Sequence, residues 1–165
     1  MEEKSRLGDW EIDTIIGKGR KGAIVSMVER HSKLTLLAQV PRKTAQEVEE
    51  ALTSRLTDMK DCVLTLTADN GKEFANHQTI DSKLGATVYF AHPYHSWERG
   101  LNEHTNGLIR QYLPNCQRLD TVADETMREI ENLLNNRPRK VLQFRTPIEV
   151  FNQRRMESGF VALRT

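Results

Sequence analysis

At 165 residues, with a formal net charge of +1, 38% hydrophobic and 28% charged residues, the chain has the size and balance of a single globular domain. It is long enough to bury roughly two-thirds of its unfolded surface without covalent or metal staples. Several classes are excluded: no apolar run approaches a membrane span, no secretory signal opens the chain, and Cys62 and Cys116 stand far apart with no Cys-x-x-Cys, so neither a disulfide framework nor a redox pair is indicated. A net charge near zero does not advertise a polyanionic partner, yet the signs are unevenly placed. Lys18, Arg20 and Lys21 cluster among glycines, and Arg137, Arg139, Lys140 and Arg145 form an acid-free block. Such a block is ordinarily a solvated face; in a neutral protein it also marks where phosphates can approach.

In chain order, Trp10 to Ile16 reads as a strand, with Asp9, Glu11 and Asp13 on one face and Trp10, Ile12 and Thr14 on the other. The basic Gly17-Lys-Gly-Arg-Lys-Gly22 is a natural hairpin turn. Strands from Ala23 to Glu29 and from Leu34 to Val40 follow, joined at Arg30-His-Ser-Lys33, and together the three strands make an antiparallel meander. Thr44 with Glu47 forms a capping box for an amphipathic helix from Ala45 to Lys60. A β-rich run from Cys62 to Thr67 then ends on Asp69-Asn70-Gly71, a turn-forming triplet. Glu73 to Leu84 reads as helix and Thr87 to Phe90 as a fifth strand. A helix from about Arg99 to Leu113 carries Leu101, Leu108, Ile109 and Tyr112 as its buried stripe, with Glu103, Asn106 and Arg110 on another face. Asp120 or Thr121 caps the next helix, with Met127, Ile130 and Leu134 inward, and Thr146-Pro147-Ile148-Glu149 opens the last. The order β-β-β-α-β-α-β with a helical remainder is most simply wound with the first and fourth strands adjacent at the sheet centre. Asp13 and Asp69 would then lie side by side.

A lone Asp-Asn-Gly is most often just an Asx-turn leaving a strand. Here it joins an acid on the first strand and an acid on a later helix. Carboxylates about 4 Å apart repel by on the order of 4 kcal/mol at a protein-surface dielectric, so a cation is their natural occupant. All-oxygen ligands suit Mg²⁺ or Mn²⁺. Periodicity does not separate Asp13 from Glu11 or Asp9. Glu73 and Glu98 compete with Glu103, although Glu73 at a helix start has a structural reason in the helix dipole. His92, His95 and His104 with Cys116 fit no common zinc spacing. Asn70 and Asn106 can orient ligands or water, or serve as plain turn and helix-surface residues.

The blocks Gly8-Asp-Trp-Glu-Ile-Asp-Thr14, Thr67-Ala-Asp-Asn-Gly-Lys-Glu-Phe74 and Trp97-Glu-Arg-Gly-Leu-Asn-Glu-His-Thr-Asn-Gly-Leu-Ile-Arg-Gln-Tyr112 resemble the catalytic core of bacterial transposases of the insertion-sequence-thirty family. Arg137-Pro-Arg-Lys140 and Thr146-Pro-Ile-Glu-Val-Phe151 are similar as well, so the likeness runs from about Leu7 to Asn152. That family belongs to the retroviral-integrase-like DDE superfamily. The resemblance implies an α/β, ribonuclease H-like fold: a five-stranded mixed sheet, strands 1–3 antiparallel and strands 4–5 parallel, flanked by helices. It makes Asp13, Asp69 and Glu103 both the catalytic acids and the metal ligands, holding Mg²⁺ (or Mn²⁺), two ions per site. It places basic residues at Arg99 and Arg110, with Ser96 and Arg110 standing where many relatives carry Tyr and Lys.

With Asn106 and the Arg137, Arg139 and Lys140 block, these cations are the expected DNA contacts. The implied activity is metal-dependent cleavage at transposon ends and strand transfer into target DNA, by a homo-oligomer on DNA, in a bacterial cytoplasm and away from membranes. The whole of 1–165 is expected to be one integrase-like core domain, with the helical DNA-binding region that precedes it in the family absent. The alternative is a catalytically silent domain of the same fold serving DNA binding or assembly.

Overall fold

The computed structural model describes residues 6–92, 100–115 and 117–159. Strands β1 (Asp9–Ile16), β2 (Ala23–Glu29) and β3 (Thr35–Val40) form the expected antiparallel meander, and β4 (Thr65–Ala68) and β5 (Thr87–Phe90) extend it in parallel. The order in the five-stranded sheet is β3-β2-β1-β4-β5, so β1 is central, antiparallel to β2 and parallel to β4. Helices α1 (Ala45–Leu56) and α2 (His77–Leu84) supply the crossovers, and α3 (Gly100–Tyr112), α4 (Asp124–Asn135) and α5 (Pro147–Glu157) follow.

The period of two along β1 divides the core between two layers. Trp10 and Ile12, with Val25, Met27, Leu66 and Ala68, pack into one apolar cluster with Val48, Leu52 and Leu56 of α1. Trp10 anchors it: its ring meets Phe151 of α5 edge-on at 6.3 Å, and its indole Nε1 donates to the Cys62 carbonyl at 2.8 Å. On the opposite face Ile15, Ile24 and Leu37 meet Ile109 of α3 and Met127, Ile130 and Leu134 of α4.

Several boundaries differ from the sequence reading, each for a local reason. Helix α1 stops at Leu56 instead of Lys60, because the chain tightens into a 3-10 stretch, Thr57–Cys62, broken by Met59 at φ −128°. Glu47 does not close the capping box: Thr44 accepts from its N–H, but the Glu47 carboxylate reaches the Arg42 backbone at 2.6 Å. Thr146 and Glu149 do close theirs. The extended run after Cys62 pairs as a strand only from Thr65. Glu73 sits in a separate 3-10 turn, Lys72–Phe74, and α2 begins at His77. Helix α4 starts at Asp124 with Ala123 at its cap position, while Asp120 spends its carboxylate on Arg118 at 2.7 Å.

The turn between β1 and β2 is pinned to the segment before α4. The Lys18 N–H donates to the Gln117 carbonyl at 3.0 Å, and the Leu119 N–H to the Lys21 carbonyl at 2.9 Å. Gly22 lies at φ 76°, and a Cβ there would meet the Asp120 nitrogen at 2.3 Å. Gly22→Ala is therefore expected to destabilise the fold by about 1–3 kcal/mol, through backbone strain and overpacking. Urea unfolding should show a lowered midpoint with an unchanged slope.

Candidate active site

Pairing between β1 and β4 sets Asp9 against Thr65, Trp10 against Leu66 and Glu11 against Thr67. Partners in a parallel pair share a face, and the Thr65 hydroxyl donates to Asp9 Oδ1 at 2.6 Å. Continued past the last pair, the register brings Asp13 level with Asp69 at the carboxyl ends of neighbouring strands. In open α/β sheets this is where a crevice forms. The expected adjacency of the first and fourth strands at the sheet centre is met.

The three acids on this face of β1 have different surroundings. Asp9 is buried, and burial raises its carboxyl pKa, but hydrogen bonds from Arg6 (2.6 Å) and Thr65 outweigh that and hold it below the usual range. Glu11 is 3% exposed; it pairs with Arg30 at 3.3 Å and accepts from the Asn102 N–H at 3.2 Å. Asp13 is half-buried, and its Oδ1 accepts from the Thr14 N–H at 2.8 Å. Its Oδ2 takes the Asn106 amide at 2.9 Å, and the Ser26 hydroxyl donates to Asn106 Oδ1 at 3.3 Å. That last bond fixes which way the amide faces. Asp9 and Glu11 are committed to holding the sheet, and Asp13 alone of the three stands at the open end.

Asp69 is half-buried and accepts from the Gly71 N–H at 3.0 Å. The Asx-turn reading thus holds together with the strand-end placement. The Glu73 carboxylate lies over Gly71, where a Cβ would stand 2.2 Å from its Oε2. Asn70 is exposed and donates to the Ala91 carbonyl at 3.2 Å.

Glu73 is removed from contention with Glu103 by geometry. Its carboxylate accepts from the Thr14 hydroxyl at 3.0 Å and pairs with Lys43 at 2.6 Å, on the α1 side of the sheet. Burial raises its pKa, but Lys43, its own backbone and Thr14 prevail and hold the carboxyl below the usual range. The structural reason for Glu73 is therefore chiefly its ion pair with Lys43, with its own backbone at the start of the 3-10 turn and Thr14 adding to it.

Glu103 is exposed in the first turn of α3, beside Asn106 on the helix surface. Among the described residues no three acidic, His or Cys side chains close around one cation position. The buried face of α3 also differs from the expected apolar stripe: Asn102, Thr105 and Ile109 are buried, and Tyr112 is 38% exposed. The helix is rotated because it covers the acidic face of β1, which takes amide donors. Asn102 and Asn106 are the residues that sequence reasoning undervalued. Their i, i+4 spacing opposite three alternating acids was the available signal.

Of the expected DNA contacts, Arg99 lies outside the described residues, as do Glu98, Ser96, His95 and Cys116. Arg110 is turned to the carbonyls of Ile16 (2.9 Å) and Leu113 (3.4 Å), and burial lowers its pKa. Arg139 is half-buried and donates to the Leu134 carbonyl at 3.3 Å; burial first, then Arg137, lowers its pKa. Arg137 and Lys140 are exposed. The basic block therefore presents two cations outward and uses Arg139 to hold its own loop.

The integrase core domain family model matches residues 4–96, more than half of the chain. The chain belongs to the integrase core domain family. It is similar to the transposase for insertion sequence element IS4351 of Bacteroides fragilis, 49% identical over 153 residues, covering 93% of this chain and 47% of that protein. It is also similar to transposase InsI for IS30A of Escherichia coli (strain K12), 36% identical over 154 residues, covering 93% of this chain and 40% of that protein. The family likeness read from sequence is thus upheld, and the chain spans about half the length of the curated relatives it matches.

Among solved structures, the catalytic core domain of BIV integrase superposes with a TM-score of 0.68 at 22% identity, covering 96% of this chain and 99% of that one. A chain of the simian T-cell lymphotropic virus intasome in complex with PP2A regulatory subunit B56 gamma gives 0.70 at 18% identity, covering 92% and 56%. At these identities the likeness is one of fold, and the ribonuclease H-like architecture stands. No helix among the described residues is long and apolar enough to cross a membrane.

The Lys43–Glu73 pair has a pH signature. A carboxyl group whose pKa is depressed by folding contributes stability above its ordinary value of about 4.5, and that contribution is lost as pH falls through the depressed value. Lys43→Gln removes the partner and leaves burial to raise the pKa. Its stability deficit in urea unfolding should be largest at neutral pH and should shrink below about 4.5. A deficit independent of pH would contradict the pairing.

Proposed function

We propose that this chain is the catalytic core of a DDE transposase, which cuts DNA at transposon ends and joins the freed ends to target DNA as an oligomer. The observation that carries the reading is the register of β1 and β4; continued by two residues it would set Asp13 level with Asp69 at the carboxyl edge of the sheet, beside α3. Family membership supports it, and so do the transposase relatives.

The donor set fits a hard divalent cation. Asp13 and Asp69 offer carboxylate oxygens at one sheet edge, and Glu103 stands on the helix covering the same face. Mg²⁺ or Mn²⁺ bound there would supply charge neutralisation and activation of an attacking oxygen. The protein's own residues do the positioning. Asn106, itself oriented by Ser26, fixes the Asp13 carboxylate, and the Gly71 N–H fixes that of Asp69. Carboxylates held in this way need little reorganisation when the phosphate arrives.

Cleavage by water and joining by a 3′-hydroxyl are both in-line displacements at phosphorus, so one set of carboxylates serves both. Neither step requires a covalent enzyme intermediate. Ser26, on the neighbouring strand opposite Asp13, is buried and bonded to Asn106.

Two variants test the reading. Asp69→Asn keeps the shape and removes one negative charge from the site. In the full-length protein it should slow joining of pre-cut ends to target DNA in Mg²⁺ by about 10³-fold or more, with DNA binding retained. Near wild-type joining would rule this mechanism out. Asn106→Ala releases the Asp13 carboxylate, so the expected loss is about 10–100-fold with little change in thermal midpoint. A large fall in stability with normal activity in the remaining folded fraction would make Asn106 a structural residue only.

A further inference from the structure

A cleft of about 700 Å³ opens at the carboxyl end of β1, beside the first turn of α1. Its lining includes Arg20, Arg42, Lys43 and Lys72, and Glu73 is the one carboxylate on it. It lies on the other side of the sheet from Asp13 and includes none of Arg110, Arg137, Arg139 or Lys140. Two of the cations are already matched: Lys43 pairs with Glu73 at 2.6 Å and Arg42 with Glu47 at 2.9 Å. Arg20 and Lys72 are exposed and make no ion pair among the described residues. The cleft therefore carries uncompensated positive charge in a chain whose formal net charge is +1.

Its shape and construction narrow the ligand. Small-molecule sites enclose the ligand and line it mainly with apolar groups. Here four cations, Arg20, Arg42, Lys43 and Lys72, stand around an open trough whose floor is apolar, and cations so spaced can follow a polyanion. The turn bearing Arg20 is held in advance: Gly19 and Arg20 lie at φ 63° and 58°, the Gly17 N–H bonds the Gly22 carbonyl at 3.0 Å, and Lys18 and Lys21 are tied to residues 117–119. Lys72 follows directly on Asp69-Asn70-Gly71, whose turn is closed by the Asp69 carboxylate. A cation on a pinned turn binds with less ordering cost than one on a loose loop.

We propose that this cleft grips the phosphodiester backbone of DNA, through Arg20 and Lys72 foremost. The identity of the polyanion rests on the strand-transfer reading above; the site itself rests on charge and geometry. Backbone contacts set affinity and its salt dependence without reading sequence.

The test measures binding of the chain to two short duplexes of unrelated sequence, by fluorescence anisotropy across a salt series with EDTA present. Removing two phosphate contacts should lower the slope of log affinity against log salt by about 1.8. Arg20→Gln with Lys72→Gln should show that loss on both duplexes. The charge-conserving pair Arg20→Lys with Lys72→Arg should retain the wild-type slope. Lys60→Gln with Arg128→Gln, exposed cations away from the cleft, should also leave it unchanged.

The proposal is overturned by an unchanged slope in the first pair, an equal loss in the distant pair, loss on only one duplex, loss in the charge-conserving pair, or no binding by the wild type. Both side chains are exposed, so thermal midpoints should match and a folding defect would be visible separately. Binding is read without chemistry. A failed strand-transfer assay leaves this measurement standing, and a flat slope here leaves strand transfer standing.

Discussion

The central strand of this sheet carries acids on one face and the heart of the apolar core on the other, and the rest of the structure answers that division. Trp10 and Ile12 are fully buried in the layer with α1. Asp9, Glu11 and Asp13 face the opposite way, where an apolar helix would leave charges buried without partners at a cost of several kcal/mol each. The chain supplies partners in sequence along the strand: Arg6 and Thr65 for Asp9, Arg30 and the Asn102 N–H for Glu11, Asn106 for Asp13. The Asn106 amide and the Thr14 N–H hold the Asp13 carboxylate at the strand end, one pair of residues beyond Glu11.

This arrangement explains what was legible in the sequence. The meander, the crossover helix and the adjacency of the first and fourth strands followed from periodicity and turn chemistry, which are local properties. Choosing among Asp9, Glu11 and Asp13 did not, because all three share one period-two face. Their difference lies in partners far along the chain, Arg30 and residues 102–106, which only the folded arrangement brings near. The buried stripe of α3 was misplaced for a related reason. Of the expected Leu101, Leu108, Ile109 and Tyr112, Ile109 is fully buried, Leu108 packs against the same core and Tyr112 is turned outward, while Asn102 and Asn106 turn their amides to the Ile12 carbonyl and Asp13. A pattern rule built on apolar faces has no entry for a helix whose inward side is chosen by hydrogen bonding.

Glu73 makes the same point from the other direction. Its position after Asp69 fits a helix start and a favourable dipole, yet the chain makes only a 3-10 turn there. Its ion pair with Lys43 closes the α1 side of the sheet edge, and its carboxylate lies over Gly71, whose N–H holds Asp69. One short turn therefore joins a half-buried acid of the candidate site to a buried, neutralised acid on the opposite face. Strand alternation sets the separation: Asp13 and Thr14 are neighbours in sequence and contact different layers, Asn106 on one side and Glu73 on the other.

The same sheet edge thus carries two zones of opposite sign. Carboxylates gathered for phosphoryl chemistry repel the polyanion they must act on, and at physiological salt that repulsion reaches only about 8 Å. The cations around Ile16 and Glu73 border the same edge on the other face of β1, so on the proposed reading they would attract DNA without entering ion pairs with Asp13. Placing Arg20, Lys43 and Lys72 among the acids would form ion pairs and take the carboxylates out of use. Dividing the two charges between the faces of one strand would keep both in use, and on the proposed reading would let a chain of nearly zero net charge hold a polyanion next to its acids.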